Sequence, residues 1–363
     1  MVSRITGCRL ACFSGTDFSA ALRDRASGGD DVLLVGLDEL YGTGAAEGGC
    51  VKVVVAGATG VIGRPLIGAL HRSGHLVYAL VRGGRSAELA RALGTTPVLA
   101  DVLDREKLLR VADGLTADAV VHELTAYRDS PPTHYRSRGL ARTNELRTAG
   151  SRHLVDFAAA VGATRYLTQS LVLGYGLRDH GAEPVTERTL FGRPQGARID
   201  ASIEALSTAE DCALHTPGLA GIALRYGIFY GPGASDPFLR PLRRRLMPLP
   251  RGETGYIGFI HIEDAAAATV AALEHGRAGQ AYNIVDDEPV TWSAHFDTLA
   301  NAFGAGPPRR VPARLFRLAA PLAAAQMLDM SMRVANAKAK SELRWQPALP
   351  TVAEGARTLA ATR

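Results

Sequence analysis

Seven residues, Gly57-Ala58-Thr59-Gly60-Val61-Ile62-Gly63, constrain the fold of this chain more than any other stretch. Before them runs Val51-Lys52-Val53-Val54-Val55-Ala56, a short β-branched segment of the kind buried on both faces of a parallel sheet. After them, Arg64 to Ser73 reads as a helix, with Leu66, Ile67 and Leu70 on one face. Pro65 falls in its first turn, where a missing N–H costs little, and Gly74 falls at its end, where a left-handed cap is common. Strand, glycine turn and helix in that order are what a dinucleotide pyrophosphate needs. One glycine permits the tight turn, one lets the backbone approach the phosphates, and one lets the helix pack close to the strand. The helix N-terminus then presents free N–H groups and its positive dipole end. The expectation is a dinucleotide site formed by residues 57–63, against the plainer reading of an ordinary glycine-rich turn.

The end of the second strand distinguishes between dinucleotides. A carboxylate there would hold a ribose 2′-hydroxyl, and an arginine would accept a 2′-phosphate. The stretch reads Tyr78-Ala79-Leu80-Val81-Arg82-Gly83-Gly84-Arg85, with no acid. A guanidinium can clamp a phosphate bidentately, so Arg82 points to NADP(H), with NAD as the second choice.

From Val51 onward strands and helices alternate. Strands are expected at 75–81, 97–100, 117–121, 165–169 and 221–225; helices at 85–93, 104–112, 139–161 and 199–215. This implies an α/β fold, a doubly wound parallel sheet of Rossmann type. Past Gly231, Pro232, Pro237, Pro241, Pro248 and Pro250 break the pattern. Helices are then expected near 262–274, 292–303, 313–329 and 333–343, forming a smaller, mostly helical lobe over the carboxyl ends of the strands. The expected organisation is residues 51–231 for the nucleotide domain and 232–363 for the substrate lobe. Residues 1–50 differ in composition; apart from Val32-Leu33-Leu34-Val35 they offer no strand-like run, and no function is assigned to them.

Composition narrows the partners. The 363 residues carry 41 basic and 36 acidic side chains, a net charge of +5, and the two signs are interleaved, so no nucleic-acid tract is expected. Cys8, Cys12, Cys50 and Cys212 lack the spacing of a zinc site and suit a reducing compartment. No apolar run reaches the ~20 residues of a membrane span, and no signal sequence is evident. The expectation is a soluble cytoplasmic protein that takes a small-molecule substrate, with a homodimer left open.

Taken together, these motifs resemble the short-chain dehydrogenase/reductase superfamily, in its extended or atypical branch of NAD-dependent epimerases and dehydratases. The resemblance spans about residues 51–350. Beyond the glycine loop it rests on Asp101-Val102, which resembles the pair that contacts adenine, and on His122-Glu123-Leu124-Thr125-Ala126, which resembles the fourth-strand segment beneath the cofactor. It rests also on Thr143-Asn144, on Tyr230-Gly231-Pro232-Gly233, on Ile260-His261-Ile262-Glu263-Asp264 and on Tyr282-Asn283-Ile284. It implies an enzyme using NADP or NAD.

The sequence departs from the family where the chemistry is done. The family sets Tyr and Lys four apart on one helical face, the hydroxyl passing a proton while the ammonium lowers its pKa. None of the ten tyrosines here has Lys at i+4, and no Lys lies between 107 and 338. The family's active serine, counted back from Tyr175, falls on Leu171, one past Ser170. The Asn that often meets nucleotide sugars is Ile228, which disfavours that substrate class.

The remaining candidates for catalysis are Ser170, to polarise an oxygen, and Tyr175, to donate a proton directly or through water. Tyr226 and Tyr230 are fallbacks. His261 reads as a titrating group or a structural hydrogen-bonding residue, and Arg240, Arg243, Arg244 and Arg245 as an acid-binding cluster or a solvated face. Three functions stay open: an NADPH-preferring oxidoreductase on a small or medium carbonyl or alcohol compound, an epimerase or dehydratase, and a silent NADP-binding regulator.

Overall fold

The computed structural model describes residues 10–14, 32–36, 49–127, 132–196 and 198–361. It divides into two compact units, 1–50 and 51–363. In the first, Leu10–Ser14 and Val32–Gly36 pair in parallel, which gives the Val32–Val35 run a strand.

In the second unit the glycine loop follows β1 (Lys52–Ala56) and leads into α1 (Gly63–Arg72). The chain continues through β2 (Leu76–Val81), α2 (Gly84–Ala92), β3 (Thr96–Leu99), α3 (Arg105–Arg110) and β4 (Ala119–His122). A long helix follows in three parts: α4 (Arg138–Glu145), a wider π turn at Leu146–Gly150, and α5 (Ser151–Ala160). Then come β5 (Arg165–Leu171), α6 (Asp200–Leu214), β6 (Ala220–Tyr226), α7 (Asp236–Arg243), α8 (Ile262–His275) and β7 (Gln280–Ile284).

The seven strands form one parallel sheet in the order β7-β6-β5-β4-β1-β2-β3. The order reverses between β1 and β4, which opens a crevice at their carboxyl ends. Alternate β1 residues feed two cores. Val53 and Val55 join Leu66, Ile67 and Leu70 of α1 and the apolar face of α8. Val54 and Ala56 join Leu154 and Phe157 of α5 and Tyr166 of β5. Each such side chain, once buried, contributes about 1.5–3 kcal/mol for the larger ones. A third core gathers Phe259, Trp292, Phe296, Leu299 and Met327 in the C-terminal part.

Three findings revise the expected layout. The chain past 231 returns to the sheet: β7 pairs with β6, and α8 packs on α1, so residues 51–363 form one compact unit. The helix expected over 333–343 begins later, at Ala337–Glu342, because Ser331–Val334 is a strand paired with Asp179–Val185. The helix expected over 313–329 is broken at Ala320 into Ala313–Ala319 and Pro321–Ala324, since Pro321 cannot continue it. Among the described residues, no helix is long and apolar enough to cross a membrane.

Candidate functional site

The glycine loop is built by backbone constraints. Gly57 has φ +99°, and a Cβ there would stand 2.6 Å from the carbonyl oxygen of Glu123 at the end of β4, so conformation and clearance both demand glycine. A side chain at Gly63 would strike the carbonyl oxygens of Gly57 and Ala58. Gly60 N–H closes the turn on Gly57 O at 2.8 Å. Ala58 and Ile62 are buried, Thr59 is half-buried, and Gly60 and Val61 are exposed. No side chain caps α1, and its first turn holds no acid, while His71 and Arg72 occupy its last turn. The loop therefore fits a pyrophosphate: bare amides, positive dipole end, no competing carboxylate.

Arg82 is exposed just past β2, with no acid beside it in sequence. Asp101 is half-buried past β3; its carboxylate accepts the Leu103 N–H at 3.0 Å and faces Arg142 at 3.6 Å. Val102 is buried, and its carbonyl accepts from His153 Nδ1 at 2.8 Å. Both stand at the carboxyl end of the sheet, on the β1–β3 side.

The other side of the crevice is built from side chains. β5 pairs regularly with β6 through Leu171, with Ser170 opposite Arg225, so no bulge carries Leu171 and Ser170 out of step. By alternation Ser170 shares the face of Thr168 and Tyr166, and Leu171 lies on the other. Ser170 and Thr168 are fully buried, and among the described residues neither hydroxyl has a partner.

Tyr175 is only 2% exposed, at the end of a short 3-10 turn. Its hydroxyl donates to Asn283 Oδ1 at 2.7 Å and accepts from Arg225 Nη1 at 2.9 Å. Arg225 also forks onto Glu210 of α6, Nε to Oε1 at 2.9 Å and Nη2 to Oε2 at 2.7 Å. Phe191 covers the guanidinium at 3.8 Å and meets the Tyr175 ring edge-on. Burial, partly offset by Arg225, pushes the phenol up to about 12. In this structure its proton is directed at Asn283, and the phenol joins Asn283 to Arg225 in a buried clasp. The fallback phenols are also engaged. Tyr226 lies 3.0 Å from Glu123 Oε1 and 2.6 Å from Thr269 Oγ1, and Tyr230 donates to Asp286 at 2.8 Å. His261 is buried; its Nδ1 caps α8 by accepting the Glu263 N–H. Arg240, Arg243, Arg244 and Arg245 are exposed on α7 and the turn after it.

Two buried groups escaped the sequence reading. Glu123 is 3% exposed, and burial raises its carboxyl to about 8, so it is protonated at neutral pH; Oε2 has no partner. Arg147, also 3% exposed, sits in the π turn. Burial lowers its pKa, and the Tyr127 hydroxyl is the group that supports its charge. Among the described residues, its Nε and Nη2 have no hydrogen-bond partner. Neighbouring His122 is held neutral, at about 4, by burial; its Nε2–H faces Leu146 O at 3.3 Å, and its Nδ1 accepts from Leu124 N–H. π turns are often found at functional positions.

Residues 53–285 match the NAD dependent epimerase/dehydratase family. A Streptomyces protein named 3-diazoavenalumate denitrifying reductase is 38% identical over 318 residues, which cover 84% of this chain and 99% of that one. The ceramide reductase of Caulobacter vibrioides is 28% identical over 84% of this chain and 88% of its own length. Among solved structures, the human epimerase family protein SDR39U1 with NADPH superposes with a TM-score of 0.68 at 18% identity, covering 86% of this chain and all of that one (100%). The UDP-glucose 4-epimerase of Thermotoga maritima does so at 0.68 and 20%, over 85% and 97%.

Proposed function

The chain belongs to the NAD-dependent epimerase/dehydratase family, and from that premise we propose that it is an NADPH-dependent reductase that removes a diazo group from an aromatic compound. The observation behind this reading is the commitment of Tyr175. Reducing a carbonyl requires a proton donor beside the oxygen. Here the phenol of Tyr175, the first candidate donor, donates to Asn283, and no lysine lies between 107 and 338 to activate any other. An aryl diazonium carries its own positive charge and accepts a hydride without acid assistance. The name of the Streptomyces relative supports this substrate class.

The bound dinucleotide would supply a hydride to the terminal nitrogen, after which the carbon–nitrogen bond breaks, dinitrogen leaves with the N–H proton lost to solvent, and the ring carbon takes a proton. Residues 57–63 hold the pyrophosphate on bare amides. Arg82 takes the 2′-phosphate, which is the basis for preferring NADPH. Ser170 and Thr168 hold buried, unpartnered hydroxyls on one face of β5 near its carboxyl end.

The test is incubation of the full chain with NADPH and 4-diazobenzoate. Equimolar NADP+, dinitrogen and benzoate, formed faster than without protein, are expected. Steady reduction of aldehydes or ketones with no dinitrogen from the diazo compound would return the protein to the carbonyl reductases.

A further inference from the structure

We propose that Arg147 is a carboxylate-binding residue, and that the substrate of this enzyme is an aromatic acid whose carboxylate docks on the Nε/Nη2 edge of that guanidinium. The identity of the ring's reactive group rests on the reading above; the carboxylate does not.

The argument begins with charge. A buried guanidinium without a counter-anion is costly, and proteins ordinarily pair such a charge. Tyr127 offers a hydroxyl, and among the described residues no carboxylate is among the groups acting on Arg147. The chain itself supplies the pattern for comparison. In Arg225 the Nη1 end meets a tyrosine hydroxyl, and the Nε/Nη2 edge takes both oxygens of Glu210. Arg147 likewise has a tyrosine hydroxyl, Tyr127, but the same Nε/Nη2 edge is unfilled. That edge is a planar two-donor fork whose match is a carboxylate.

Location separates this anion from the cofactor phosphates. Those lie on the amides of α1, which packs on the β1 face bearing Val53 and Val55. The π turn lies toward the opposite face: Leu146 O meets His122, which alternates with Val120 of the second core. His122 pairs with Thr168 across β4 and β5, and Ser170 follows two residues on. Thr168, Ser170 and Ser151 each keep a buried hydroxyl without a partner. Arg147 is therefore grouped with buried polar side chains on the α5 side of β4 and β5, away from α1 and on the side of the β1–β4 switch point where the nicotinamide half of a dinucleotide would lie.

The test is calorimetric binding of benzoate, 4-hydroxybenzoate and 4-hydroxycinnamate, and of their methyl esters, to the NADP+-saturated full chain. The wild-type protein is compared with Arg147→Met and Arg147→Lys. Loss of a bidentate charged contact is expected to weaken the acids by about ten- to hundredfold in Arg147→Met. Arg147→Lys should recover part of that loss, and the esters should bind both proteins alike. Affinity for NADP+ should stay within about twofold, and the Arg147→Met melting temperature should equal or exceed that of wild type, since an uncompensated charge is removed. Failure of every acid to bind wild type, equal acid binding by both proteins, a primary loss of NADP+ affinity, or a lowered melting temperature would each overturn the proposal. Acid binding that depends on Arg147, without dinitrogen release, would sink only the diazo reading.

Discussion

Two arginines are buried at the carboxyl end of the same sheet, and the protein treats them oppositely. Around Arg225 every nitrogen has a partner: a carboxylate on one edge and a phenol at the other end, with an aromatic ring on the face. Around Arg147 the buried Nε/Nη2 edge has no partner among the described residues, and neither do the buried β5 hydroxyls of Thr168 and Ser170. Burial alone does not distinguish structure from function. The distinction lies in whether the counter-charge comes from the chain.

The most forceful way to break this contrast is to make Arg225 resemble Arg147. Glu210→Gln leaves a buried guanidinium without its anion and should cost about 3–5 kcal/mol, read as a lowered urea midpoint. A loss below about 1 kcal/mol would mean that the pairing is not what secures this region.

Glu123 extends the comparison to a buried acid. Its folded pKa, about 8, stands above the ordinary 4.5, so the unfolded chain releases its proton first. The contribution of Glu123 to stability is therefore intact below about 4.5 and declines as pH rises through about 8. Glu123→Gln should match wild type near pH 5 and exceed it by about 2–4 kcal/mol near pH 9. Parallel pH profiles for the two proteins would show that the carboxyl is not held neutral.

Tyr175→Phe sharpens the contrast from the side of the clasp. It strands Asn283 Oδ1 and Arg225 Nη1, and should cost about 1–3 kcal/mol in stability. On the proposed reading, in which the phenol is not the proton donor, its kcat should change by less than about twofold; a loss near a hundredfold would assign it the catalytic role. The smallest effect belongs to an exposed arginine. Arg82→Ala should leave stability unchanged and reduce the preference for NADPH over NADH by about tenfold, as a single charge-assisted contact allows. Titration of both cofactors into the variant checks this.

What the sequence revealed divides along similar lines. The glycine loop was legible because its reasons are local: turn, clearance and helix start lie within seven residues. The parallel sheet was legible from the alternation of short apolar runs with helices. The clasp was hidden because its partners lie far apart in sequence, Tyr175 being 50 residues from Arg225 and 108 from Asn283. The strand Asp179–Val185 was hidden because it is polar and pairs with a segment near the far end of the chain. Arg147 did leave a trace. It falls on the stripe Leu140, Thr143, Arg147, Ser151, Leu154, each of them buried, where a cation is out of place. Reading 139–161 as one uniform helix passed over both this stripe and the π turn.

That turn carries one residue more than the α turn it replaces, so Leu146–Gly150 takes up the extra length locally while α4 and α5 run on as one helix. The backbone that bears Arg147 is therefore wound more loosely than the turns on either side of it.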